Sequence, residues 1–450
     1  MPSNIQTKVL ILGAGGAGVS NIAQIYKESG LFVIGADKLK NKATENLESL
    51  GIKVYLDSDL SILDDFTKND LVFKSSAIKP GHPLLQIASE RSLRTITRHN
   101  FFEEISKIRD VIAIAGSSGK TSVTALTSYI LNTNRDSGYM IGIHGNGGHN
   151  GTSKEFIIEA DEYAKTFLSL KKIKIGVINS ITFDHVDIYP TKEDYHQAFR
   201  EFASNCNMLI VNGDDQIINE QIISSNLNPN LITVGYNINN DWSAQNIINL
   251  EGGSQFDIYN KGIKIAEIKL NIIGGHNVIN ALFGFVVNYH LDIKSEEIIK
   301  SLASYKGVTR RLELLQKFPY YVYDDYAHLP FEIETVLKGL HASFPTRRII
   351  AYFQPHTYTR INSQFENYPI ALSNCDILLL GDVYAARDSV GFVDMNKLVN
   401  LVTAPIKYLS GNIIESEKLI REIIKPNDVL ICLNAGDGTK VAYNLVSNPA

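Results

Sequence analysis

Apolar runs of single-strand length recur along this chain, each closing on glycine, hydroxyl or carboxylate residues, and the stretches between them carry helical spacing. In the first hundred residues, 8–12, 32–35 and 71–74 read as strands and 19–29 as a helix, the alternation of parallel βα units. The pattern resumes with strands at 111–115, 155–158 and 175–178, and a β-rich insert spans 241–270. A third alternating block has strands at 320–323, 348–353, 376–380 and 428–433 and a helix at 331–340. The fold class is α/β. Polar breaks near 97–104 and 305–311 set the expected domains at 1–105, 106–306 and 307–450.

Composition narrows the partners. A chain of 450 residues exceeds a single core. A net charge of −5 leaves no broad basic face for nucleic acid. Cys206, Cys375 and Cys432 lie far apart in or beside apolar runs, so they read as buried free thiols, not as a disulfide framework or zinc site. No apolar run approaches membrane-span length, and the first residues lack the order of a signal peptide. A cytoplasmic protein is expected, monomeric or weakly dimeric, with no nucleic-acid or membrane partner.

The chemistry collects at strand ends. After the run 111–115 the chain reads G-S-S-G-K-T-S, with Gly116 and Gly119 to turn the backbone, Lys120 to reach phosphates and Thr121 or Ser122 to meet Mg²⁺. The alternative is a glycine-rich turn with a surface lysine. Gly13, Gly15 and Gly18 have dinucleotide-fingerprint spacing, and Asp37 closes the next strand as a partner for a ribose hydroxyl or a base. Such glycines also serve close packing alone. The passage 141–152, rich in glycine and asparagine, reads as a mobile loop.

Glu159 and His185, at two strand ends on the expected active edge, are metal candidates; His185 serves equally as a strand-end hydrogen bonder. Asp161, Glu162, Asp184 and Asp187 either support the metal ligands from behind or are solvated loop charges, and each taken singly reads as the latter. His276, Asn277 and Asn280 share a helical face and suit an adenine edge or an N-terminal cap. Arg310 and Arg311 suit a nucleotide or a salt bridge. His328 and His356 stand in strand-end segments that fit ligand contact or plain turns.

The ordered motifs are G-A-G-G-A-G from Gly13, S-S-A-I from Ser75, A-G-S-S-G-K-T-S from Ala115, E-A-D-E from Glu159, D-H-V-D from Asp184 and G-H-N-V-I-N-A from Gly275. They continue with G-V-T-R-R from Gly307, D-D-Y-A-H-L-P from Asp324, Q-P-H-T-Y-T-R from Gln354, V-Y-A-A-R from Val383 and A-G-D-G from Ala435. Over nearly the whole chain this succession resembles the Mur ligases of cell-wall precursor synthesis, most of all their alanine-adding branch.

The resemblance implies an N-terminal Rossmann-like domain holding a UDP-sugar through Gly13, Gly15, Gly16, Ala17, Gly18, Asp37, Ser75 and Ser76. It implies a central P-loop ATPase α/β domain and a C-terminal Rossmann-like domain that closes on ATP and brings the amino acid on His328, His356, Arg360 and Arg387. Gly116, Ser117, Ser118, Gly119, Lys120, Thr121 and Ser122 would surround the ATP phosphates. His276, Asn277 and Asn280 would meet adenine, and Arg311 and Asp325 the nucleotide from the third domain.

Mg²⁺ or Mn²⁺ would be held by Thr121, Glu159 and His185, and Lys120, Glu159 and His185 would be catalytic. The implied reaction phosphorylates the carboxylate of a UDP-sugar, UDP-N-acetylmuramate foremost, and passes the acyl group to an amino acid, L-alanine foremost. A sister ligase for peptide recycling or pseudomurein is the alternative, and a nicotinamide-dependent dehydrogenase a remote one.

Three positions depart from the branch. Ser117 and Ser118 stand where it usually reads threonine and histidine, and Leu329 replaces a second histidine before Pro330. Arg200 stands near where other branches place a carbamylated lysine.

Overall fold

Three β-sheets organise the protein in a computed structural model that describes residues 7–143, 145–185, 188–386, 388 and 391–447. β1 (Lys8–Leu12), β2 (Phe32–Asp37), β3 (Lys53–Leu56), β4 (Leu71–Lys74) and β5 (Arg94–Ile96) form a parallel sheet of order β3-β2-β1-β4-β5. Strand order reverses beside β1, which opens a crevice at the carboxyl ends of β1 and β4. Leu12 pairs with Lys74, so Gly13 and Ser75 emerge side by side at that crevice. A Cβ on Gly13 would lie 2.7 Å from that of Ser75, so only glycine fits this approach.

The second sheet contains β6 (Asp110–Ala115), β7 (Gly138–Met140), β8 (Gly148–His149), β9 (Glu155–Glu159), β10 (Ile173–Ile178), β11 (Cys206–Asn212) and β12 (Leu231–Gly235). It continues with β13 (Trp242–Leu250), β14 (Gly253–Asn260) and β15 (Ile263–Leu270), in the order β15-β14-β13-β12-β11-β10-β6-β9-β7-β8. β6 lies between β9 and β10, parallel to both, so the segments following all three leave one edge. Val111 to Ala115 are fully buried, as an apolar strand covered on both faces requires.

The third sheet contains β16 (Glu313–Gln316), β17 (Tyr321–Asp325), β18 (Ile349–Gln354), β19 (Ile377–Gly381), β20 (Ile406–Gly411) and β21 (Val429–Asn434), in the order β16-β17-β21-β18-β19-β20. Only the short β16 pairs antiparallel. β17 runs through Asp324 and Asp325, so both carboxylates belong to the strand and not to the segment after it.

By packing, the chain divides into two compact units. One takes residues as far as Gln245 with Ile258–Ala266 and Asn280–Ser301; the other takes Asn246–Asp257, Glu267–Ile279 and the chain from Leu302. The expected boundary at 105 falls inside the first unit. Among the described residues no helix is long and apolar enough to cross a membrane.

The passage 141–152, read from its composition as a mobile loop, is tied to Asn21 at its described residues. It contains β8, and Asn21 Nδ2 donates to the carbonyls of Ile141 at 2.6 Å and Ile143 at 3.1 Å. A Cβ on Gly148 would lie 2.2 Å from the Asn21 carbonyl, so its glycines serve close approach. His149 sits between Glu28 and Asp136, 2.8 Å from each carboxylate.

The helix Lys192–Ser204 begins with a reciprocal cap, in which the Thr191 hydroxyl accepts from the Asp194 N–H and the Asp194 carboxylate accepts from the Thr191 N–H, each at 3.1 Å. Its apolar face drives Tyr195, Phe199 and Phe202 into an aromatic cluster with Phe167 and Tyr189, all five fully buried. Phe167 meets the Phe199 ring at 5.4 Å and stacks on Phe202 at 5.3 Å. Truncating Phe199 to alanine is expected to destabilise the first unit by about 3–5 kcal/mol. Urea unfolding followed by the fluorescence of Trp242, the single tryptophan of the chain, measures the change.

Candidate active site

Gly116 and Gly119 carry φ values of 142° and 77°, and between them the chain turns from β6 into the helix Lys120–Asn132. Asn179, at the end of β10, is wedged against this turn. A Cβ on Gly116 would lie 1.9 Å from its Oδ1 and one on Gly119 2.4 Å from its Nδ2, so the turn admits no side chain at either position. Ser117 N–H donates to the Ser180 carbonyl and Ser118 N–H to the Ser180 hydroxyl, both at 3.0 Å. The first-turn amides of the following helix, with the positive end of its dipole, are the donors suited to an anion. Thr121 and Ser122 belong to that first turn.

Lys120 lies along the turn, its Nζ 2.5 Å from the Gly116 carbonyl and 2.8 Å from Glu162 Oε2. Glu162 is only 1% exposed, which corrects its reading as a solvated loop charge. Burial by itself would lower the Lys120 ammonium, but the carboxylates of Glu162, Asp161 and Glu159 outweigh it and hold the group above its usual range. Burial likewise would raise Glu162, and Lys120 and His185 reverse the sign. His185 Nε2 lies 3.5 Å from Glu162 Oε1; against the effect of burial, Glu162 and Asp184 raise its basicity.

The first carboxylate of the E-A-D-E segment faces elsewhere. Glu159 accepts from the Thr121 hydroxyl at 2.9 Å and the Gly142 N–H at 2.6 Å, and burial raises its carboxyl. A hydroxyl beside a carboxylate fits a hard divalent cation that completes its shell with water and phosphate oxygens. Among the described residues no three His, Cys, Asp or Glu side chains form a closed cage. The structure thus couples Thr121 to Glu159 and His185 to Glu162. Asp187 lies outside the described residues.

At the first sheet, Asp37 accepts from the Gly15 N–H at 2.7 Å, so one of its oxygens braces the fingerprint turn itself. Gly16 is the N-cap of the helix Ala17–Glu28, and Ser75 Oγ accepts from the Ala77 N–H at 3.3 Å, beyond Ser76. Arg98, which no motif signalled, covers this turn: a Cβ on Gly18 would lie 1.6 Å from its Nη2, and its Nη1 is 3.4 Å from Asp161. Arg200 spends its donors on Gln197, Gln221 and the Glu193 carboxylate.

The second unit gathers its own polar set. Asp325 accepts from the Leu312 and Ala327 N–H groups, both at 2.6 Å, and burial pushes its carboxyl up to about 6 against the pull of Arg311. Arg310 donates to Asn434 at 2.7 Å, which makes it a buttress of this unit, and both guanidiniums stand over the Tyr326 ring. The His328 and His356 rings are 5.9 Å apart, and Arg360 donates to His356 Nδ1 at 2.7 Å, so three of the four residues expected on the amino-acid side come together. Arg387 lies outside the described residues.

Burial and then Arg360 and His328 push His356 down to about 4; burial and Arg311 do the same to His276. Asn277 Nδ2 donates to the Ile273 carbonyl at 2.8 Å. Asn280, in the first unit, would be 3.4 Å from a Cβ on Gly119.

Residues 8–109 match the Mur ligase family, catalytic domain, and residues 114–288 the Mur ligase middle domain. The UDP-N-acetylmuramate–L-alanine ligase of Clostridium novyi (strain NT) is 34% identical over 448 residues, covering 96% of each chain. Its counterpart in Aquifex aeolicus (strain VF5) is 33% identical, again over 96% of each. The crystal structure of the UDP-N-acetylmuramate–alanine ligase of Thermotoga maritima shares the fold, with a TM-score of 0.81, 24% identity and 98% of each chain covered. The chain belongs to the Mur ligase family, and it is an ATP-dependent ligase. Family membership sets aside the dehydrogenase reading.

Glu162→Gln leaves the Lys120 ammonium without its nearest counter-charge. A loss of about 3 kcal/mol in stability is expected at neutral pH, measurable by urea unfolding of the first unit.

His356 gives a pH dependence. Its folded value of about 4 lies below the ordinary 6.5, so as pH falls between these values the unfolded chain takes up the proton first and the folded state loses stability. With solvent screening of this half-buried ring, the loss by pH 5 is about 1 kcal/mol. His356→Gln is expected to flatten this slope relative to the parent, as read by hydrogen exchange of the β18 and β21 amides between pH 7 and 5.

Proposed function

We propose that this protein joins L-alanine to the carboxylate of UDP-N-acetylmuramate at the cost of ATP, through an acyl phosphate, in peptidoglycan precursor synthesis. What carries the reading is the buried Lys120–Glu162 pair at the glycine turn, with Thr121 and Glu159 beside it, in a chain whose near-full-length relatives bear that ligase's name.

In this reading the triphosphate lies on the first-turn amides of the helix Lys120–Asn132, and Lys120 neutralises charge on the migrating phosphoryl group. Glu162 holds that ammonium in place and protonated. Thr121, Glu159 and His185 are the residues that would hold Mg²⁺ or Mn²⁺, and the cation would spread the charge of the phosphate oxygens. The UDP-sugar belongs to the crevice of the first sheet, with its pyrophosphate at the turn formed by Gly13 to Gly18. The amino acid belongs to the side of His328, His356 and Arg360, where the two imidazoles stay neutral at physiological pH and leave the cationic role to Arg360.

Phosphate release from ATP, measured with a panel of UDP-sugars crossed with amino acids, tests the reading. Release is expected with UDP-N-acetylmuramate and L-alanine together; a preference for a peptide or another acceptor would move the protein to a sister ligase. Lys120→Ala is expected to lower kcat by more than a hundredfold, corresponding to about 3 kcal/mol of barrier, while UDP-sugar binding by calorimetry stays near the parent value.

A further inference from the structure

Two tyrosine hydroxyls reach the nucleotide turn from the aromatic cluster behind it. Tyr195, fully buried, places its hydroxyl 3.0 Å from Ser117 Oγ, and Tyr189 donates to the Glu162 carbonyl at 2.6 Å. The two rings meet edge to face, 4.9 Å apart and 88° inclined.

Proton counting settles the direction of the Tyr195 contact. A serine hydroxyl has one proton to give and two lone pairs to fill. Ser117 Oγ donates to the Thr182 carbonyl at 2.8 Å and accepts from the Thr182 N–H at 2.7 Å. Only a lone pair remains, so Tyr195 is the donor. Ser117 thereby ties the turn to the segment after β10, three residues before His185. His185 approaches Glu162, Glu162 holds Lys120, and Lys120 returns to the Gly116 carbonyl, closing a loop of contacts around the turn. Tyr195 and Tyr189 grip that loop at opposite points from one rigid aromatic body.

We propose that Tyr195 is a positioning residue for phosphoryl transfer: by donating to Ser117 it fixes the glycine turn against the His185 segment in the arrangement that receives the triphosphate. The inference rests on the assignment of this turn to ATP. It also gives Ser117, one of the departures from the branch, a defined task that a threonine hydroxyl would perform in part.

The test uses the full chain as Tyr195→Phe, Ser117→Ala, the double variant and Ser117→Thr. A fluorescent ATP analogue reports nucleotide affinity, steady-state kinetics report the KM of each substrate, and circular dichroism checks the fold. For Tyr195→Phe, kcat/KM for ATP is expected to fall about tenfold, the worth of one hydrogen bond, and for Ser117→Ala at least as far because its two bonds to Thr182 go as well, with the KM of sugar and amino acid unchanged. The double variant should fall no further than Ser117→Ala alone, and Ser117→Thr, which restores a hydroxyl, should recover part of what Ser117→Ala loses. Additive losses, equal shifts in all three KM values, or unchanged ATP kinetics would overturn the proposal. A parent chain that does not bind the analogue would overturn the nucleotide assignment and this inference with it.

Discussion

A buried lysine needs a buried carboxylate, and the first unit is arranged to bring the two together. Lys120 opens one helix and Glu162 follows a strand two places along the order of parallel strands from the loop bearing His185, so the pair forms only if β9, β6 and β10 pair as they do. Taking both charges out of water is repaid only when the geometry is close and the remaining atoms are satisfied. Here the Gly116 carbonyl takes one lysine proton and His185 stands by the second glutamate oxygen. The same low polarity that penalises the buried ammonium magnifies its field on any anion brought beside it.

The strands that the sequence announces most plainly are those whose interiors are apolar, with a charge at most at one end. β1, β6, β18, β19 and β21 are continuous apolar runs buried on both faces, and their extents depart from the pattern by a residue or so. β3, β5 and β20 carry lysine or arginine and exposed positions, as edge or near-edge strands do, and give no such pattern. The glycine turn was legible because its residues are consecutive. Asn179, Arg98 and Tyr195 act on positions far away in sequence, Tyr195 at a separation of 78 residues from Ser117, and no local pattern encodes such a contact. Glu162 misled for a related reason: a charge in a polar segment reads as solvated until the aromatic cluster that covers it is known.

The glycines of the two nucleotide-type turns also divide by cause. Gly116 and Gly119 answer to Asn179, and Gly13 to Ser75, so each is required by a neighbour in the fold before any ligand enters. Asp37 follows the same logic, with one oxygen committed to the Gly15 amide. Such turns keep their shape without help from a bound phosphate, and the entropy of ordering them is spent at folding and not at binding.

The cysteines give the folded chain a chemical silence with a practical side. Cys206 lies in the first unit and Cys375 and Cys432 in the second; all three are buried, and burial pushes each thiol up, Cys375 to about 12. The thiolate is what attacks an alkylating reagent, so each sulfur becomes reactive only while its surroundings open. The rate at which each one is modified is therefore a clock for the breathing of its own unit, built into the natural sequence and needing no introduced probe.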